Sequence, residues 1–207
     1  MLYNRCAEVN AEFWRDLAQA DPKDISRRTG IQRHENVFRF SYFNQEAVVD
    51  LDRQRVFRAA APEEEPGFRL CLITVLYLLF VDTAGLGPPV SPLELPGATL
   101  FFQNRGPHAI PSAPLEDQFG HDLAGFLEVG RRLGAERRAS GDGALAFPVF
   151  PGLSVEVILW VADDEFPAQV SFTVPSGLDR FWQLDAVLGL MGLVVKELLR
   201  TAALAAG

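Results

Sequence analysis

Leu153, Val155, Val157, Leu159 and Val161 occupy every second position of one segment, and Ala168, Val170, Phe172 and Val174 do so in the next. Successive side chains of an extended chain point to opposite faces, so a period of two in both segments predicts an antiparallel hairpin with one buried face. Such a hairpin is not stable alone and must pack its apolar face on something else. The opposite face carries Ser154, Glu156, Ile158 and Trp160 on one strand and Gln169, Ser171 and Thr173 on the other. Trp160 therefore stands on a mixed face beside the connection, in which Asp163, Asp164 and Glu165 precede Phe166-Pro167.

The rest of the chain supplies cover for that face. Cys6, Val9, Phe13, Leu17 and Ala20 fall at helical spacing and predict a helix over about 5–20. A second follows, with Asp21 as N-cap, Pro22 at the first helical position and Gly30 as the stop. From Val37 to Phe57 alternation returns: Phe38, Phe40 and Tyr42 predict a strand, Asn44-Gln45 a turn, and 47–51 and 55–58 two more strands. "APEEEPG" reads as a solvated acidic loop. "FRLCLITVLYLLFVDTAG" is apolar nearly all round and predicts a buried helix.

A Pro- and Gly-rich stretch over 85–113 shows little periodicity and reads as a long irregular connection, with a short strand at Thr99–Phe102. A helix over Leu115–Leu133, a turn at "ASGDGA" and a strand over 145–150 lead into the hairpin. A last helix over 186–204, capped by Asp185, contains Gly189 and Gly192 and so invites close backbone packing. The expected fold class is α+β: a single domain spanning 1–207, with a mostly antiparallel sheet packed against several helices.

Composition narrows the functions. The 207 residues are 48% hydrophobic, enough for a core that needs no metal or disulfide staple. Net charge is −8 and the pI about 4.9, which argues against nucleic acid or an anionic membrane as partner. Cys6 and Cys71 lie in apolar helical patterns and read as free, small hydrophobic side chains; they form no CxxC pair and are too few for an iron–sulfur cluster. No N-terminal signal segment is expected, and the longest apolar run is too short to span a bilayer, so the expected location is cytoplasmic. No cofactor is expected in the chain itself.

The candidate ligand- or partner-binding residues are Trp160, Asp163, Asp164, Glu165 and Phe166. An aromatic beside acids suits a ligand with an apolar body and a cationic end, and the 85–113 connection is placed to form an opposite wall. The same acids read first as ordinary turn formers, and otherwise as hard-metal ligands or as a general base. Asp117 and His121, four apart on the predicted 115–133 helix, share a face and are a second metal candidate, or else an ordinary ion pair. There is no HExxH, GxSxG or P-loop. The residues point to a non-catalytic binding or accessory protein for a small ligand, cofactor or protein partner. A metal-assisted hydrolase using the acidic turn is the alternative, and a structural, self-associating domain such as a homodimer is a second.

"LAQADPKDISRRTGI", "ITVLYLLF", "SPLELPGATLFFQNR" and "FPVFPGLSVEVILWVADDEFPAQVSF" resemble the prokaryotic family called domain of unknown function 3786, over about 13–199. Its most specific block, a strand ending in Trp, then a small residue, acids and Phe-Pro-Ala, corresponds here to Trp160, Ala162, Asp163-Asp164-Glu165 and Phe166-Pro167-Ala168, with Ala162 where Gly is more usual. The resemblance implies a setting in anaerobic bacteria and archaea. Some relatives are joined to a four-cysteine iron–sulfur domain like that of corrinoid iron–sulfur proteins, which this chain lacks.

Overall fold

A capped helix shows how closely local chemistry is followed near the start of the chain. Helix α2 (Pro22–Thr29) is entered through Asp21, whose Oδ1 accepts the Lys23 N–H at 2.9 Å, and left through Gly30 in the left-handed region at φ 74°. The helix before it is shorter than the spacing predicts. Asn10 caps it by accepting the Glu12 N–H at 2.9 Å, so α1 spans Ala11–Gln19 and Cys6–Glu8 form a separate 3-10 turn. A side-chain cap that satisfies the first-turn amides starts a helix regardless of apolar spacing upstream.

The computed structural model describes residues 5–64, 67–103 and 105–206. It shows an α+β single domain whose two antiparallel sheets have four and five strands among the described residues. The residues group into two compact units, one of 1–86 with 150–152 and the other of 87–149 with 153–207.

In the first unit, strands β1 (Arg33–His34), β2 (Val37–Tyr42), β3 (Gln45–Asp50) and β4 (Arg55–Arg58) lie in that order. The β2–β3 turn falls on Phe43 and Asn44, one residue earlier than predicted, with φ of 47° and 59°. A positive φ is unfavourable for a bulky residue. Here Phe43 is buried and meets Tyr42 edge-on at 4.8 Å, so packing offsets the backbone cost. Helix α3 (Phe68–Phe80) is buried along most of its length, as its uniform apolarity predicts. Arg28 closes its C-terminus, donating to Leu78 O at 3.0 Å and Val81 O while its Nε bonds Asp24 at 2.7 Å. A cation there satisfies orphan carbonyls and suits the helix dipole. Phe150 stacks on Tyr77 at 4.6 Å, and the Tyr77 hydroxyl donates to Pro151 O. Burial pushes the Tyr77 hydroxyl pKa well above its usual value.

The two cysteines correct the sequence reading. Cys6 and Cys71 are joined by a disulfide across a sequence separation of 65, with Cα atoms 5.3 Å apart. Helical spacing reports which face a residue occupies, not which distant residue meets it, so nothing local distinguished these two from free core cysteines. The acidic loop is fastened by Arg58, whose Nη1 lies 3.1 Å from Glu64 Oε2; Glu65 and Pro66 of that loop lie outside the described residues.

In the second unit the sheet order is β5 (Pro89–Val90), β9 (Gln169–Pro175), β8 (Leu153–Trp160), β7 (Gly143–Phe150), β6 (Glu136–Arg138). The β8–β9 hairpin has the predicted faces: Val157, Leu159, Val170 and Phe172 are all buried, and their alternates are not. The 85–113 connection is less irregular than expected. It contains β5, a 3-10 turn at Pro92–Glu94 and helix α4 (Ala98–Phe101). The strand predicted at Thr99–Phe102 is that helix, entered through Gly97 at φ 77°.

The 115–133 helix is likewise two helices, α5 (Ala113–Phe119) and α6 (Leu123–Arg132). Asp122 caps the second by accepting the Gly125 N–H at 2.8 Å. Helix α7 (Leu184–Ala206) packs on both, and Asp185 lies in its first turn rather than at its cap.

Candidate functional site

Trp160 and Gln169 are the last paired residues of the hairpin, so their side chains sit side by side on its outer face. Trp160 is 39% exposed and Phe166, at the crown of the connection, is 65% exposed. Trp14 and Trp182, by contrast, are both buried. Between the two aromatics lies a depression of about 590 Å³ lined by Asp142, Trp160, Val161, Asp163 and 166–169.

The connection holds these groups because its backbone is tied at nearly every step. Val161 N–H donates to Asp142 Oδ2 at 2.9 Å, and Ala162 N–H to Gly120 O at 2.8 Å. Asp163 N–H donates to Phe166 O at 3.0 Å, while Asp163 Oδ1 accepts the Glu165 and Phe166 amides at 2.8 and 2.7 Å. This is an Asx turn, the ordinary structural use of an aspartate in a tight connection. The two donated amide bonds hold the Asp163 carboxyl below its ordinary pKa, since they favour the charged form. Just beyond the loop, Glu116 on α5 accepts the Val170 N–H at 3.0 Å, closing an amide that no neighbouring strand takes. A Cβ at Gly120 would stand 2.6 Å from Ala168 Cβ, so only glycine permits this approach of α5 to the hairpin.

The sequence-predicted residues therefore divide. Trp160, Asp163 and Phe166 meet at one depression. Asp164 and Glu165 are exposed, and neither side chain has a polar partner among the described residues. The 85–113 connection does not form the opposite wall; Asp142 and 166–169 do. Asp142 comes from "ASGDGA", which reads in sequence only as a turn. Its amide donates to Leu159 O at 3.0 Å, and no local signal announces that pairing.

Asp117 and His121 do not share a helical face. α5 ends at Phe119, His121 lies in the turn before α6, and no ion pair joins the two residues among the described residues. No group of three or more His, Cys, Asp or Glu among the described residues is arranged to hold a metal ion. No helix among the described residues is long and apolar enough to cross a membrane.

The geometry offers two exposed aromatics on a fixed backbone, a carboxylate at each side of the depression, and the Gln169 amide beside Trp160. It can hold an apolar body against the rings and a donor or cation against Asp142 and Asp163. In comparisons with known proteins, the model of a family described as a domain of unknown function (DUF3786) matches residues 21–197. No curated protein and no solved structure matches the chain.

Proposed function

The chain belongs to the domain of unknown function 3786 family, and for this member we propose a non-catalytic binding function centred on the Trp160–Phe166 depression. The ligand class is a small molecule or partner side chain with an apolar body and a cationic or hydrogen-bond-donating end. The observation that carries the reading is the exposure of two large aromatics on a backbone already hydrogen-bonded in place. A surface that is ordered before binding loses little entropy on association. Exposed aromatics on such a surface are what interfaces enrich and free surfaces avoid.

The hydrolase alternative has less support. Asp163 Oδ1 is committed to two backbone amides, and Asp164 and Glu165 converge with no other polar side chain among the described residues. The cytoplasmic location expected from the sequence and the anaerobic setting implied by the family resemblance belong to the same proposal. The disulfide weighs against a reducing compartment, where such bonds are rare; once it is formed, burial of both cysteines slows exchange.

The test is an indole-resolved titration. Trp160 is the exposed tryptophan, so its indole N–H signal in a two-dimensional ¹H–¹⁵N spectrum reports this surface separately from buried Trp14 and Trp182. Titration with aryl and alkyl ammonium compounds should move the Trp160 signal and the 161–169 amides together. Amine binding that leaves Trp160 unmoved would rule this surface out.

A further inference from the structure

The first unit carries a second depression of opposite chemistry. It has a volume of about 470 Å³ and is lined by Pro22, Lys23, Ser26, Arg27, Gln32 and Arg33. Three of these are cations and none is an acid, in a chain of net charge −8. Arg27 is neutralised by Asp24 at 2.7 Å and Asp82 at 3.2 Å. Arg33 is not. Its guanidinium donates to Glu35 O, Ala18 O and Asn36 Oδ1, which are all neutral acceptors, at 2.7 to 2.8 Å. Those bonds fix the group in place, leave part of its five-donor fork free, and do not cancel its charge. The Lys23 side chain has no hydrogen bond or ion pair among the described residues. Of the acids on α2 and its cap, Asp24 bonds Arg27 and Arg28, while Asp21 accepts the Lys23 backbone N–H and keeps its charge.

An anchored arginine with no carboxylate partner, a free lysine, a hydroxyl and a carboxamide around one hollow form a donor-rich lining that holds no carboxylate. That is the chemistry that recognises phosphate oxygens. Gln32 also lines an adjoining depression of about 340 Å³, whose other walls are Gly30, Ile31, His34, Arg39, Phe40 and Pro151. Arg39 there is paired with Glu46 at 3.1 Å, so this neighbour is closer to neutral and offers ring and proline surface.

We propose that the two depressions bind one small organic phosphate, with its phosphoryl group among Lys23, Arg27 and Arg33 and its organic body past Gln32 toward His34, Phe40 and Pro151. The site is independent of the Trp160 surface and does not rest on the function proposed for it.

The experiment titrates the ¹⁵N-labelled full chain with inorganic phosphate and with AMP at constant ionic strength, using chloride as control. Both phosphates should give saturable shifts at 23–33 that chloride does not. AMP should bind more tightly and extend the shifts to 34–40. Lys23→Glu, at a side chain with no partner to lose, should weaken both by at least about tenfold, the lower end of what a charged hydrogen bond contributes. Trp160→Ala should change neither. Shifts that chloride reproduces, or that survive Lys23→Glu unchanged, would overturn the phosphate site. Equal affinity for AMP and inorganic phosphate would overturn the assignment of the second depression.

Discussion

Reducing the Cys6–Cys71 bond should destabilise the protein by about 4 kcal/mol. The bond closes a loop of 65 residues, and chain-closure entropy of −2.1 − 1.5R ln n per kelvin gives that figure at 25 °C. For a chain of this length the loss corresponds to roughly 10 °C in melting temperature. Urea unfolding of the same wild-type protein with and without reductant isolates the effect, because no side chain is altered. Two signatures should appear together. The midpoint should fall by about 2 M if the slope is about 2 kcal/mol per molar, and the slope should rise, because an uncrosslinked denatured chain exposes more surface. Both sulfurs are buried, Cys6 at 3% and Cys71 at 0% exposure, so reduction under native conditions should be slow and should accelerate in denaturant. A midpoint shift below the equivalent of 1 kcal/mol, or two titratable thiols in the unreduced denatured protein, would refute the reasoning.

Val170→Asp should cost about 3–5 kcal/mol, since it buries a carboxylate at a residue whose amide is already bonded by the Glu116 carboxylate; circular dichroism melting checks it. Gly120→Ala should cost about 1–3 kcal/mol by overpacking against Ala168 and the Glu116 carbonyl, and a melt within error of wild type would show that α5 can shift. The Asp163 turn should loosen in acid. Its folded pKa is depressed, so its contribution is fully present above the unfolded value near 3.8 and is lost as pH falls through the folded pKa. Amide exchange at Glu165 and Phe166 should therefore show an acid-linked loss of protection that Asp163→Asn abolishes.

How much was legible in the sequence varies by element. The hairpin was, because alternation over 153–174 admits one buried face and a one-residue slip would expose all of it. α2 was legible through Asp21, Pro22 and Gly30. Two helix boundaries differ from the periodicity for one reason: the apolar pattern runs across residues whose side chains bond the backbone. Asn10 and Asp122 each start a helix inside what reads as a longer one. Gly97 lets Ala98–Phe101 turn into a helix despite the strand preference of its residues. The disulfide and the Asp142–Val161 tie join residues 65 and 19 apart in sequence, and single-chain patterning carries no information at such range. Trp160, Asp163 and Phe166 could be nominated because they are neighbours in sequence. Asp142 could not, and neither could the cationic depression, whose members come from α2 and from β1 with the residue before it.

The measurement closest to the central claim is a thermal-shift screen of aryl and quaternary ammonium compounds on wild type and on Trp160→Ala. A ligand present at a hundredfold excess over its dissociation constant stabilises the folded state by about 2.7 kcal/mol, well within reach of the method. The account predicts compounds that raise the wild-type melting temperature and lose most of that rise in Trp160→Ala, while the unliganded mutant melts close to wild type. Equal shifts in the two proteins for every stabilising compound would contradict it, and would leave the acids of the connection as a solvated turn.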